Sequence, residues 1–502
     1  MSIDLKAEGA QLELAESHIV EGKTSSKGVV LRPQPTNDPN EPLNWATAQK
    51  YTTYLVCCFF TLLAFMNSSA FTVAIKPIIM EFHKTSTEAS YLTSLQVLGM
   101  GFGPLILMPL TRIIGKRPVY LASILFLCVT NIWSYFSASY ASLLASRIIG
   151  GLMTAAADAP VPSLVADLFF FHQRGNAMMI FHFCISAGAF GGPFVNAYLT
   201  QYAGWRWMCG VMAIVSGVTF LIGLVTIWET SYVVNGPRDL FKPREDYPAK
   251  RPWLAELSLT RGFNPEASFF GWLLKTVSLV AYPPVWIAGL TVGLFIGCNV
   301  AIQITASQTF TAAPYHWETH TLGLLSLAGL VGAVISFVFG GWLIDFIATK
   351  MTSRNAEHAE PEYRLVAMII PAIIGPMGLL TFGLCVAGGK SWGGAAVGYG
   401  MEGFGATAAS NIIITYAVDA YRPIAGEIIV IIFVIRNVIA CLISTYITKW
   451  FQNQGLKQAY GELVGVAYII LSLSLLLYVF GRKIRRFTSK FGPMADFEIL
   501  HI

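Results

Sequence analysis

Arg147-Ile-Ile-Gly-Gly-Leu-Met-Thr-Ala-Ala-Ala-Asp158-Ala-Pro-Val-Pro162 lies within an apolar run that covers about residues 141–166. A helix needs about 20 mostly apolar residues to cross a bilayer, and this run is long enough. It nevertheless holds an arginine and an aspartate eleven residues apart, about 16 Å of helical rise. Ionisable groups at that depth are expensive, so each is a functional hypothesis by default. Two prolines behind Asp158 kink the helix and free backbone carbonyls. A carboxylate beside such a kink is a candidate to hold a cation or a proton; the competing reading is a structural pair with a base from another span. The stretch also has a counterpart. Gly151, Ala156, Ala157 and Asp167 match Gly403, Ala408, Ala409 and Asp419 at a constant offset of 252 residues, which reads as a duplicated unit.

The rest of the chain agrees with a membrane as solvent. Of 502 residues 55% are hydrophobic and 12% charged, about half the charge density of a soluble domain. The mean hydropathy of +0.59 leaves too little polar residue to cover globular exteriors. Residues 1–23 are polar, so no cleavable signal peptide is expected and the first span directs insertion. Eight cysteines lie in or beside apolar runs without CxxC spacing, which argues against a disulfide or zinc framework.

Twelve apolar runs are readable, at about 51–75, 91–111, 118–138, 141–166, 176–200, 208–229, 284–308, 321–348, 365–387, 391–417, 425–448 and 461–481. The expected class is therefore an all-α membrane protein of two pseudo-symmetric six-helix bundles. Its expected parts are a tail 1–50, a bundle 51–229, a central loop 230–283, a bundle 284–481 and a tail 482–502. Of the 33 Lys and Arg, 25 fall on the side of the N-terminus and 6 on the other, so both termini are expected in the cytoplasm. A site between two such bundles, near mid-membrane, is transporter architecture.

Four stretches resemble the major facilitator superfamily, and more narrowly its fungal branch of twelve-span drug:proton antiporters and organic-cation, polyamine-like carriers. Asp38-Pro-Asn-Glu-Pro-Leu-Asn-Trp45 is similar to the motif that precedes span 1 in fungal members. Gly103-Pro-Leu-Ile-Leu-Met-Pro-Leu-Thr-Arg-Ile-Ile-Gly-Lys-Arg-Pro118 resembles the loop between spans 2 and 3. Arg147-Ile-Ile-Gly-Gly151 with Asp167-Leu-Phe and Arg174-Gly175 resembles the span-4 motif and the loop after it. Trp228-Glu-Thr230 is like the element that closes span 6. Two departures stand out. The loop between spans 2 and 3 has Leu110, Thr111 and Arg112 where the family carries an acid, and an acid appears instead at Asp345 in the second half. The span-5 antiporter motif keeps Gly188, Gly192 and Pro193 but ends in Asn196 and Ala197 instead of a glycine pair.

The resemblance implies a proton-coupled transporter in a fungal plasma membrane, with a vacuolar membrane second, and a monomer is expected, with protons, a small molecule and membrane lipid as partners and no nucleic acid. Efflux of a drug, toxin or secondary metabolite is the first expectation, and uptake of polyamines or other organic cations is the alternative. Asp158 and Glu402 are the unpaired-looking acids, and Arg147 and Arg436 the bases inside spans. Arg436 is expected to hold Glu402 ionised, to neutralise a proton-releasing acid or to form a structural pair. Asn67, Asn299, Gln303 and Asn411 supply polar groups for a cavity. At the cytoplasmic mouth, Asp167 with Arg174 and Asp419 with Arg422 are read as gate pairs, joined by Arg112, Lys116, Arg117, Asp345 and Glu427. No metal site and no cofactor are expected. His316 and His320 stand i, i+4 apart outside any helical context, and Gly389-Lys390-Ser391 lacks the glycine a phosphate loop needs. An enzyme is not expected, and a transporter-like nutrient sensor is a remote reading because the tails are short.

Overall fold

The computed structural model describes residues 34–232, 247–251, 256–258, 262–264, 268–312, 315–354, 361–389, 391–421, 424–488 and 490. Span 1 is Thr47–Ser68, span 2 Ser86–Ile113 and span 3 Lys116–Tyr135. Span 4 comes in two pieces, Tyr140–Thr154 and Pro160–Leu168. Span 5 opens with Phe171–Ser186, passes through a π turn at Ala187–Gly191, and enters the long helix Gly192–Thr226. Gly204, at φ 87°, breaks that helix into the end of span 5 and the whole of span 6. Spans 7 to 12 are Pro283–Thr309, Thr319–Arg354, Ile369–Ala387, Trp392–Ala420, Ala425–Gln454 and Leu456–Thr488. Ten stretches among the described residues are long and apolar enough to cross a membrane. The Gly204 break divides one of these, and glycine-rich span 10, with Glu402 inside it, completes the twelve.

Two segments differ from the sequence-based expectation. Span 1 stops at Ser68 instead of running to 75, and a 3-10 turn Ala70–Thr72 and a short helix Ile75–Phe82 follow. The cause is local: the Ser69 hydroxyl donates back to the Phe65 carbonyl at 3.2 Å and so competes with the helix. The second is a helix, Phe269–Ser278, inside the segment read as loop.

The two halves pack alike. In the first, span 4 crosses span 2 where Gly151 has no side chain: a Cβ there would lie 2.2 Å from the Gln96 carbonyl oxygen. In the second, span 10 crosses span 8 at Gly403, whose Cβ would lie 2.4 Å from the Gly329 carbonyl oxygen. The matched glycines are thus matched helix crossings, each requiring backbone approach that only glycine allows. Across the halves, span 2 packs on span 11 and span 5 on span 8. At the end away from Lys116, one buried apolar cluster joins Phe71, Ile75 and Phe190 of the first half to Leu294, Phe310 and Leu325 of the second.

The opposite, basic end holds the starts of odd-numbered spans. There the Asp38–Trp45 motif folds into a buried polar turn. Asp38 accepts from the Asn40 backbone N–H at 2.8 Å, and Glu41 accepts from the Thr36 N–H at 2.6 Å and hydroxyl at 2.7 Å. The Asn40 amide donates to the Pro248 carbonyl at 3.3 Å and accepts from the Arg251 N–H at 3.1 Å, fastening the central segment to the first half. Burial, with the Asp38 carboxylate it donates to at 3.0 Å, pushes the Tyr232 hydroxyl up to about 12. That donor therefore stays protonated at any physiological pH.

Candidate functional site

Span 4 breaks where the small-residue run meets its prolines. A 3-10 turn at Ala155–Ala157 leads to Asp158 (φ −113°, ψ −75°), and helix resumes with Pro160 in its first turn. Pro160 has no N–H to give, so it starts the second piece without an unmet donor. Asp158 is 0% exposed and is ion-paired with Arg436 of span 11, which is 3% exposed. Of the alternatives for these two residues, the structure has the pair with a residue of another span, and neither an unpaired Asp158 nor an Arg436 that serves Glu402. The pair crosses from one half to the other. Among the described residues Asp158 Oδ1 and Arg436 Nε have no hydrogen-bond partner, and the guanidinium stacks 4.0 Å from the centre of the Phe433 ring. The contact is desolvated and incompletely satisfied, an arrangement with a high penalty for losing either partner.

Arg147, by contrast, has no acid against it among the described residues. It donates to Asn67 twice, to the side-chain oxygen at 3.0 Å and to the backbone oxygen at 2.5 Å, and faces the Phe71 ring at 4.6 Å. It therefore stabilises the carbonyl left free where span 1 ends, and Asn67 is its partner, not an open cavity group.

Glu402 is the isolated acid. It is 0% exposed, and neither carboxyl oxygen has a hydrogen-bond partner among the described residues. Gly378 of span 9 lies directly on its backbone, where a Cβ would come within 2.6 Å of the Glu402 nitrogen. The Asn299 amide of span 7 is beside the carboxyl group. One turn further along both helices, Gln303 donates to Asn299 at 2.8 Å and to the Tyr399 hydroxyl at 3.1 Å, and Asn299 donates to the same hydroxyl at 3.3 Å. Gln303 also donates to the Ala189 carbonyl at 3.3 Å, inside the π turn of span 5. That hydrogen bond joins the halves. A small cavity adjoins it, lined by Val73, Pro193, Gln303, Ala306, Ser326 and Tyr399.

Glu402, Asn299 and Gln303 thus come together, whereas Asn411 is only half-buried and outside this cluster. Tyr399 was not anticipated; its position three residues before Glu402 on one helix face was the available signal. Gly188 and Gly192 let span 1 approach span 5: Cβ atoms there would meet the Leu62 carbonyl oxygen at 2.6 Å and the Met66 Cα at 2.8 Å.

At the basic end the first of the two gate pairs differs from expectation. Asp167 pairs with Lys116 at the start of span 3, and Arg174 instead donates to the Phe169 and Ala166 carbonyls at 3.0 and 2.8 Å. Asp419 pairs with Arg364 at 2.8 Å, ahead of span 9. The repeat therefore holds with other partners: an acid closing span 4 or 10 meets a base opening span 3 or 9. For Asp167 the base that meets it belongs to the adjoining helix and not to the loop that follows in sequence. Arg422 lies outside the described residues, as does the side chain of Asp345 on the span-8 helix. Across the halves, Arg112 and Glu427 approach to 4.0 Å. Glu362 with Arg485, bidentate at 3.0 and 2.9 Å, ties span 12 to span 9 and was not foreseen.

Glu229, from the Trp228-Glu-Thr230 element, accepts the backbone N–H groups of Lys116 at 3.0 Å and Arg117 at 3.1 Å. A carboxylate on the first two amides of span 3 is favoured by the helix dipole. Arg117 is held by the Leu224 carbonyl at 2.8 Å. Gly115 makes room for this cap: its φ is 97°, and a Cβ would fall 2.3 Å from Glu229 Oε2. We expect Gly115→Ala to cost about 2–4 kcal/mol, from the left-handed backbone and the clash together. Gly204, at φ 87° with nothing near its Cβ position, should lose only the backbone part, about 1–2 kcal/mol. Thermal melts of the two purified variants check the order, and a Gly115→Ala protein as stable as Gly204→Ala contradicts the cap.

A sequence profile described as Major Facilitator Superfamily matches residues 57–445. The chain belongs to the Major Facilitator Superfamily. It is 24% identical to Protein HOL1 of Saccharomyces cerevisiae, over 93% of this chain and 92% of that one. It is 27% identical to the MFS transporter cpaT of Aspergillus oryzae, covering 89% and 90%, and 24% identical to the efflux pump radE of Floropilus chiversii, covering 89% and 83%. Among solved structures, the proton:xylose symporter XylE bound to 6-bromo-6-deoxy-D-glucose superposes with a TM-score of 0.61, over 88% of this chain and 96% of that chain, at 14% identity. That likeness establishes the fold alone. As a superfamily member the chain is a multi-pass membrane transporter of small molecules, not an enzyme.

Proposed function

We propose that this protein is a proton-coupled transporter that moves a small organic cation or amphipath by alternating access and exports it across the plasma membrane, with both termini in the cytoplasm. The observation that carries the reading is Glu402: a carboxyl group with no exposed surface and no base against it among the described residues, its polar neighbour being the neutral Asn299 amide. A charge in that setting is very unfavourable unless something neutralises it. Among the described residues no base stands there, so a proton or a substrate cation takes that role, and the two compete for one negative charge. Asn299, Gln303 and Tyr399 orient whatever arrives, and the Gln303 bond to Ala189 links occupancy to the relation between the halves. The Asp158–Arg436 pair is the second element of the scheme. A proton on Asp158 removes the counter-charge of Arg436, which loosens the contact between span 4 and span 11.

Export is supported by the names of two relatives, the efflux pump radE and the MFS-type efflux pump MFS2 of Trichophyton rubrum. Uptake is favoured by one observation. Asn196, in place of a motif glycine, donates to the Met66 carbonyl at 3.1 Å and so serves packing against span 1. The deciding experiment is movement of spermidine and of a lipophilic cationic dye in proteoliposomes with an imposed pH gradient. Accumulation in the acidic compartment is the expected result and means antiport. Accumulation in the alkaline compartment means symport and uptake. Transport of either probe that ignores the gradient overturns proton coupling.

A further inference from the structure

The helix Phe269–Ser278, with its 3-10 extension Leu279–Ala281, is apolar and about 20 Å long by helical rise. A crossing needs about 30 Å of hydrocarbon-matched helix. It is therefore too short to span and, with a second apolar face, ill suited to water. One face packs on the protein: Thr276 and Leu279 are buried, and Trp272 lies under the Arg112 guanidinium at 5.3 Å. The other face points away, with Phe270 70% and Leu274 68% exposed and Val277 and Val280 also exposed. This stripe follows the spacing of one helix face and continues into Trp286 at the start of span 7. The exposed Trp286 indole donates to the Val280 carbonyl at 2.7 Å. Tryptophan at the end of a span marks the level of the lipid headgroups. Lys275 stands in the last turn and Arg112 over Trp272 of the same helix, both at the basic end.

We infer that this helix lies in the headgroup–acyl boundary of the host membrane, with Phe270, Leu274 and Val277 against acyl chains and Lys275 and Arg112 at the level of anionic headgroups. The apolar stripe, the adjoining Trp286 and the basic flank are the pattern of an interfacial helix. Its placement gives it mechanical consequence. The helix packs on span 2 of one half and span 11 of the other, at the seam where Arg112 approaches Glu427. A membrane-docked element thus braces the mouth at the basic end.

The test places photoreactive benzoylphenylalanine at position 270 or 274 of the full chain. The protein is reconstituted in phosphatidylcholine vesicles with a minor fraction of phosphatidylglycerol, irradiated and analysed by intact-protein mass spectrometry. Position 475, exposed on span 12, is the lipid-facing control and position 250, exposed in the central segment, the polar one. The expected result at 270 and 274 is a mass shift of one intact phospholipid, as at 475 and not at 250. Labelling at 475 with none at 270 or 274, or cross-links from these positions into protein, overturns the inference. If neither variant purifies as a folded species, position 277 carries the same test. The readout does not depend on transport, so it stands apart from the proposed function.

Discussion

Asp158→Asn is expected to cost more folded protein than Arg436→Gln, and the double variant to recover most of the loss. The two side chains form an ion pair buried from both sides, between span 4 and span 11. Removing one member of such a pair leaves an uncompensated buried charge, worth about 3–5 kcal/mol. The two single variants are not equivalent. With Arg436 gone, the Asp158 carboxyl can take up a proton and become neutral. With Asp158 gone, the guanidinium stays charged, with the Phe433 face beside it. Two neutral amides, in Asp158→Asn with Arg436→Gln, restore charge balance while removing the switch. Thermal melting of detergent-solubilised protein reads stability, and the pH-gradient assay reads coupling. The double variant should be folded and unable to couple. Additive losses of stability would falsify the coupling of this pair, since contacting charges depart from additivity by about 0.5–3 kcal/mol. Normal gradient-driven transport by the double variant removes the pair from the mechanism and leaves it a structural tie.

The sequence carried the fold because its signal there is one-dimensional. Apolar run length decides a span whatever its neighbours are, and the 252-residue offset survives because Gly151 and Gly403 occupy equivalent crossings where no side chain fits. Partner choice is different in kind. Asp158 and Arg436 are 278 residues apart, and nothing in either local pattern points to the other. Asp167 looks served by Arg174 along the chain, yet it pairs with Lys116 from the helix packed alongside, and Asp419 meets Arg364, 55 residues before it, ahead of span 9. The loop helix Phe269–Ser278 was passed over because ten residues do not make a span, although its bulky apolar spacing was visible. Glu402 with Asn299 and Gln303 was legible for the opposite reason. Polar residues are rare at that depth, so those present on facing spans tend to converge.

Glu402→Gln should abolish gradient-driven transport while leaving the protein at least as stable as the parent. Glutamine has nearly the shape of glutamate, so the packing of span 10 on Gly378 and Gly329 is undisturbed. What changes is charge. The wild-type carboxyl group has no base against it among the described residues and only the Asn299 amide beside it, and a desolvated polar group left poorly met typically costs about 1–3 kcal/mol, more when charged. The amide carries no charge and can donate, which gives Asn299 and Tyr399 a neutral neighbour. A melting temperature unchanged or raised by a few degrees is the expected sign, because a site kept for function commonly sacrifices stability. Glu402→Asp separates charge from position: it keeps the acid but withdraws it by one methylene, so transport should fall in part, with a changed substrate preference. The combination decides the assignment. Loss of transport together with loss of stability makes Glu402 structural, and retained transport in Glu402→Gln places the cation or proton elsewhere. Loss of transport in a protein that melts no lower is the outcome expected of an acid whose missing partner is the cargo or the coupling ion.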